Sequence, residues 1–297
     1  MTDILIIGAG PAGLTAAIYA RRAEKSVLIL EKGAMGGQMT HSPKIENYPG
    51  FPVLSGNELA DKMVEQALLL GAEIGLAEVT GIEPADGCIT VHADDGDYTA
   101  RTVIIATGAK HRRLGLEKED TLAGVSYCAV CDGAFYKNKA VLVIGGGNSA
   151  MQEALLLSES CAAVTMVQNL PTLTGEAALQ AKIAEKNNVK VIYNSVCKAL
   201  LGEEDFTGAV IENTQTGEQQ TLYADGIFVA IGLSPDTEAF RGLLTLENGC
   251  VKADESCLTD LPGVFVAGDC RTKNIRQITT AAADSATAAL AAIRYLG

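Results

Sequence analysis

The chain has 297 residues with 31 glycines, 8 prolines and no tryptophan, a composition that suits alternating βα units in two domains more than a loop-rich fold. Its 23 Lys and Arg against 36 Asp and Glu give a net charge of −13, which argues against nucleic acid and anionic membranes as partners. No apolar run approaches the ~20 residues needed to cross a bilayer, and a start that runs straight into a strand predicts no signal peptide and a cytoplasmic, reducing location.

Asp3 to Gly8 is an apolar run of strand length that leads into Gly8-Ala9-Gly10-Pro11-Ala12-Gly13. Leu14 to Arg22 has helical composition, and Val27 to Leu30 reads as a second strand ending at Glu31. This is a βαβ unit with a GxGxxG turn and an acid about 20 residues on. One glycine allows the tight turn, one lets the backbone approach a pyrophosphate, and one lets the helix pack on the strand. The helix N-terminus offers free N–H groups to phosphate, and Glu31 can accept from a ribose hydroxyl.

Val103 to Gly108 is another buried-strand run ending in a glycine turn, Ala106-Thr107-Gly108. Beyond it lies Cys128-Ala129-Val130-Cys131-Asp132-Gly133. Two cysteines at this spacing can close a small disulfide ring, and such a ring carries two electrons. A structural or zinc pair is the alternative, but no second cysteine pair completes a tetrahedral site, so no metal is expected. Asp132 reads either as a proton carrier for the dithiol or as a helix N-cap. Cys88, Cys161, Cys197, Cys250 and Cys257 are isolated and read as small buried hydrophobes, as does Cys270. His41, His92 and His111 lie at no motif, and no catalytic role is assigned to them.

Ala140 to Ile144 repeats the opening pattern and runs into Gly145-Gly146-Gly147-Asn148-Ser149-Ala150, then a helical stretch and the strand Ala163 to Val167. This second fingerprint serves either a nucleotide or helix–strand packing alone. Ile227 to Gly232 closes the inserted fold. Near the end, Val264 to Asp269 is a strand–Gly–Asp turn, followed by an Ala-rich helix from Ile278 to Leu296. The expectation is an α/β protein of two Rossmann-like, three-layer ββα dinucleotide-binding domains, the second inserted into the first. Residues 1–112 and 242–297 would form one domain, with 113–241 inserted. A dithiol between two dinucleotide folds reads as a flavin-linked disulfide reductase.

These motifs, with Gly36-Gly37-Gln38, Glu46-Asn47-Tyr48-Pro49-Gly50, Gly268-Asp269 and Arg276-Gln277, make the chain similar to the low-molecular-weight thioredoxin reductases over nearly its whole length. The resemblance implies FAD in the N- plus C-terminal domain, at Gly8, Gly10, Pro11, Ala12, Gly13, Glu31, Gly37, Gln38, Asn47 and the Ala106-Thr107-Gly108 turn. It also implies Gly268, Asp269 as a ribityl contact, Arg276, and Gln277 with Ile278 as the cover over the flavin ring. Cys131 would face the flavin and Cys128 would attack the disulfide of thioredoxin. A homodimer is the family expectation, and so is rotation of the inserted domain about its two linkers.

The chain departs from NADPH-using members in one stretch. Where they carry a His-Arg-Arg cluster for the 2′-phosphate, it has Val167-Gln168-Asn169-Leu170-Pro171-Thr172-Leu173-Thr174, and no Lys or Arg occurs from Ala140 to Ala181. Residues 113–240 hold 8 Lys and Arg against 16 Asp and Glu. A 2′-phosphate there would lack its charge-assisted bonds. In this respect the chain resembles the ferredoxin-dependent flavin thioredoxin reductases, so reduced ferredoxin is the expected donor. Lys110-His111-Arg112-Arg113, or Arg271, Lys273 and Arg276, would form a basic docking patch for it. The alternatives are an NAD(P)H-dependent thioredoxin reductase with an atypical nucleotide site and a flavin dithiol oxidase.

Overall fold

The computed structural model describes residues 1–42 and 45–297, with His41 and Cys131 described through their backbone alone. Two compact units are present: residues 1–110 with 235–297, and residues 111–234. The inserted unit thus begins and ends earlier than 113–241. By Pro235 the chain already belongs to the first unit, because the Asp236 N–H donates to the Gly108 carbonyl and Phe240 is buried in that unit's core.

In the first unit, β1 (Thr2–Ile7) turns through Gly8 into α1 (Pro11–Arg22), and β2 (Val27–Glu31) follows. Proline at the first helical position, where its lack of an N–H costs no intrahelical bond, starts α1 cleanly. A Cβ on Gly13 would lie 1.8 Å from the Gly8 carbonyl oxygen, so this glycine is what lets the helix seat on the turn. Helix α2 (Gly56–Leu69) begins with a capping box between Ser55 and Glu58. Strands β3 (Glu73–Leu76), β4 (Val79–Ala85), β5 (Cys88–Ala93) and β6 (Gly96–Ile105) complete this part. The order is β3-β2-β1-β6-β5-β4, parallel from β3 to β6 and antiparallel beyond. Alternate residues of β1 enter different cores, Ile4 and Ile6 on one face and Leu5 and Ile7 on the other. That double burial explains why the strand reads as a continuous apolar run.

After β7 (Ala109–His111), the second unit holds β8 (Val125–Ser126), α3 (Ala129–Asp132), β9 (Ala140–Ile144), α4 (Asn148–Ser158), β10 (Ala163–Val167), α5 (Ala177–Ala184) and β11 (Val189–Ile192). A three-stranded antiparallel sheet follows, β12 (Ser195–Gly202), β13 (Phe206–Asn213) and β14 (Gln219–Tyr223). Then β15 (Gly226–Val229) completes a parallel sheet of order β11-β10-β9-β15-β8.

The chain leaves through β16 (Leu233–Pro235), which pairs with β7, so the two crossings form one ribbon. The short strands β17 (Leu246–Glu247) and β18 (Cys250–Val251) pair antiparallel. Strand β19 (Val264–Val266) lies parallel to the last residues of β6, Val103–Ile105, while the first residues of β6 pair with β5. Helix α6 (Ile278–Leu296) buries Ala281, Ala288, Ala289 and Ala292, small side chains that allow close packing on α1.

Candidate active site: a glycine-walled cavity and a redox helix

A cavity of about 280 Å3 opens over the start of α1 in the first unit. The first turn supplies Gly8, Gly10, Pro11 and Ala12 to its wall. Glu31 lines it from the end of β2, and Gly37 and Gln38 from the loop beyond. Ala106, Thr107 and Gly108 form the wall after β6, and Asp269, Gln277 and Ile278 close it from the C-terminal segment. These residues come from four separated stretches of chain, and all were expected at a common site.

Four expected residues lie off the wall. Gly13 packs the helix on its turn. Gly268 has φ +80, and a Cβ there would come within 2.9 Å of the Ala12 Cβ, so it too is a close-approach glycine. Asn47 donates to the Gln277 side-chain oxygen at 3.2 Å and acts through it. Arg276 donates to the Cys250 sulfur at 3.4 Å.

The cavity fits a polyhydroxylated anionic group. A Cβ on Gly37 would lie 3.2 Å from the Gly10 Cα, so bare backbone faces bare backbone there. The Glu31 carboxylate is set by the Ala9 N–H at 2.7 Å and the Gly33 N–H at 2.9 Å. On the opposite side the buried Oδ1 of Asp269 has no hydrogen-bond partner. Burial pushes the Asp269 carboxyl above its usual range, against the charges of Lys273 and Arg276. A hydroxyl donor in the cavity would satisfy that oxygen.

A wider space of about 430 Å3 shares Gly8, Glu31, Lys32, Thr107, Lys110 and Asp236 with this cavity. Lys32 and Asp236 were not anticipated, and Lys110 was expected in a docking patch instead. The Lys32 Nζ lies 2.6 Å from Asp236 and 3.5 Å from Glu78, and Lys110 lies 3.3 Å from Asp236. Lys32 follows Glu31 directly and could have been flagged; Asp236 lies some 200 residues away in sequence and gave no signal.

In the second unit Cys128 immediately precedes α3 and is disulfide-bonded. The Cys131 side chain lies outside the described residues. The Cys128 N–H donates to the Ser126 hydroxyl at 3.0 Å, and that hydroxyl donates to the Asp132 carboxylate at 2.6 Å. Asp132 makes no side-chain cap, so the N-cap reading does not hold. Its carboxylate is instead wired through Ser126 to the backbone of the redox loop. Phe135 is 73% exposed, whereas Tyr136 packs edge-on against Phe228 with centroids 5.4 Å apart.

The second glycine turn has a different character. The buried Gln168 amide lies 2.4 Å from where a Gly146 Cβ would be, and it is already engaged with the Thr172 carbonyl and the Asn169 N–H. At the first residue of α4, the Asn148 Nδ2 donates to the Glu176 carboxylate at 3.1 Å. An acid therefore stands where such turns usually receive phosphate.

The proposed basic docking patches are largely occupied. Arg271 and Lys273 have side chains only 4% and 5% exposed and pair with Asp284, so of that group only Arg276 is exposed. Lys110 pairs with Asp236, Arg113 with Asp120, and the Arg112 Nε donates to the Leu233 carbonyl. Among the described residues no group of side chains could hold a metal ion, and no helix is long and apolar enough to cross a membrane.

Two Rossmann-like folds, with a disulfide-bonded cysteine beside a short helix of the inserted one, define a thioredoxin reductase-like flavin disulfide reductase. Residues 2–285 match the family model described as pyridine nucleotide-disulphide oxidoreductase. The chain is 42% identical to a thioredoxin reductase of Listeria monocytogenes over 99% of its own length and 93% of that protein's. The crystal structure of Lactococcus lactis thioredoxin reductase matches with a TM-score of 0.97 and 41% identity, covering 100% of this chain and 99% of that one. The protein belongs to the pyridine nucleotide-disulphide oxidoreductases and, within them, to the low-molecular-weight thioredoxin reductases. The expected likeness to ferredoxin-dependent members is weaker. The ferredoxin-flavin thioredoxin reductase of Clostridium acetobutylicum matches with a TM-score of 0.54 and 30% identity, over 99% of this chain and 97% of that one.

Proposed function

We propose that this protein is an FAD-dependent thioredoxin reductase that works in the cytoplasm and passes electrons to a thioredoxin-type disulfide through Cys128 and Cys131. The observation that carries the cofactor reading is the glycine-walled cavity at the start of α1, lined by Glu31 and by Asp269, whose buried Oδ1 has no partner. Gly8 to Ala12 and the α1 N-terminus would hold the pyrophosphate, Glu31 a ribose, and Asp269 the ribityl hydroxyls. FAD, when bound, supplies an electron pair. Two electrons and two protons convert the Cys128–Cys131 disulfide to two thiols. The Cys128 thiolate then attacks the thioredoxin disulfide, one thioredoxin sulfur leaves as thiolate, and Cys131 resolves the mixed disulfide. Asp132, held by Ser126, receives and returns the proton.

For the donor, the comparisons support a nicotinamide dinucleotide at an atypical site better than ferredoxin. Ferredoxin remains a second reading, favoured by the Glu176 carboxylate at the start of α4 and by the cation-free segment that follows β10. The test is anaerobic. The yellow protein is mixed with NADPH, with NADH or with reduced ferredoxin, the flavin band is followed, and oxidised thioredoxin is then added. Bleaching by a nicotinamide with thioredoxin reoxidation supports the first reading; bleaching by ferredoxin alone supports the second. A reduced flavin that oxidised thioredoxin does not reoxidise would refute the thioredoxin reductase reading.

A further inference from the structure

Behind Asp269 lies a buried ionic cluster that the electron path does not use. Asp284, on the second turn of α6, is 7% exposed. It accepts from the Arg271 Nε and Nη2 at 3.0 and 2.8 Å, from the Lys273 Nζ at 2.8 Å, and from the Gly268 N–H at 3.1 Å. Burial pushes its carboxyl up, and the bonds from Arg271 and Lys273 outweigh that and hold it below the usual range. Burying three charges is expensive, and well-packed apolar residues in their place would often be as stable. The position of this cluster therefore calls for a role beyond stability.

The bonds indicate one. Gly268 is wedged at φ +80 between Ala12 of α1 and Ala281 of α6, and its N–H is held by Asp284. Asp269 is the next residue. Arg271 closes the far side of the turn by a bidentate bond to the same carboxylate. Lys273, tied to Asp284, is also the largest favourable charge acting on Asp269. The turn that places Asp269 in the cavity wall is thus fixed at both ends by one side chain.

We propose that Asp284 is a positioning residue which, through Gly268, Arg271 and Lys273, orients Asp269 to accept from the ribityl hydroxyls of the flavin. This rests on the FAD reading above. Of the charged groups acting on Asp269, Lys273 and Arg276 favour its ionised form and Asp284 opposes it. Loss of the Lys273 charge moves the Asp269 carboxyl further up, so that it accepts a proton, and loses the charge that strengthens its bond from a hydroxyl, at a higher pH.

The experiment is an FAD titration of deflavinated full-length protein, with thermal melts of the same samples before FAD is added. Lys273→Met keeps the Arg271–Asp284 pair and so keeps the fold. Its melting temperature should stay near wild type, while its FAD affinity falls more steeply than that of wild type as the pH is lowered. Asp284→Asn should weaken FAD binding about 10- to 100-fold, the worth of a hydrogen bond to a charged group. Asp269→Asn should do the same, and in the double variant the two losses should not multiply, because Asp284 acts through Asp269. Wild-type protein that fails to take up FAD would overturn the cofactor reading itself. Wild-type protein that binds FAD while Lys273→Met keeps its affinity and pH profile, or losses that multiply in the double variant, would overturn the positioning role alone.

Discussion

The hydroxyl of Tyr127 donates to the carboxylate of Glu119, which fastens the residue before Cys128 to the loop that opens the inserted unit. Glu119 also accepts from the N–H groups of Leu114, Gly115 and Leu116 at 2.7, 2.8 and 3.4 Å. Burial, together with Glu119, pushes the Tyr127 phenol up to about 12, so it remains a donor throughout the working pH range. Tyr127→Phe removes only that donor. It should cost about 1.5–3 kcal/mol in urea unfolding. Combined with Glu119→Gln it should show a coupling near 1 kcal/mol or more. Additive losses would mean the pair is incidental.

Cys131→Ser separates the two half-reactions. The donor should still bleach the flavin, because no cysteine takes part in that step, whereas thioredoxin turnover should fall to background. Stopped-flow flavin absorbance and a thioredoxin-coupled assay read the two steps. Residual turnover above a few per cent would contradict the assigned electron path.

Gly146 and Gln168 should behave as one unit. Gly146→Ala drives a methyl into the Gln168 amide, whose carbon lies 2.4 Å from that position, and should cost about 1–3 kcal/mol as overpacking. Gln168→Ala removes the obstacle, and the double variant should recover most of the loss. The check is chemical denaturation of all four proteins; absence of rescue would mean that Gln168 is not what requires the glycine.

Glu153 gives the protein a pH signature. It lies on α4, one oxygen is buried without a partner, and burial pushes its carboxyl up to about 8. The folded protein therefore binds a proton that the unfolded chain releases near 4.5. The associated stability is fully present below pH 4.5 and is lost as pH rises towards 8. Glu153→Gln should be nearly neutral in stability at pH 5 and gain about 1–3 kcal/mol over the parent at pH 9. Equal effects at both pH values would show that Glu153 is not held protonated.

The cavity wall was largely legible because its chemistry is local. Gly8 to Gly13, Glu31 and Ala106 to Gly108 each advertise a turn or strand end whose backbone geometry fixes what it can touch. The strand–Gly–Asp turn before a long helix itself suggests that the Asp269 carboxylate returns to the first nucleotide site, whereas Gln277 was legible only by resemblance. The ionic cluster was misread. Arg271 and Lys273 looked like surface cations because Asp284, their partner, lies in an Ala-rich stretch whose helical pattern hides one buried acid. The boundary differs for a related reason: the contacts that return the chain to the first unit, the Asp236 amide on the Gly108 carbonyl and Phe240 in the core, leave no mark in the local sequence.

The pairing of β19 with Val103–Ile105 has a consequence for how the protein is made. The inserted unit is one continuous stretch, so it can finish folding as soon as it clears the ribosome. The first unit cannot, because the partner for the end of β6 is encoded after the whole of the insert. At ~5–20 residues per second of synthesis, that apolar edge waits on the order of ten to thirty seconds for β19. During this interval it is a sticky template for other nascent chains, and crowded polysomes are where aggregation of this protein should begin.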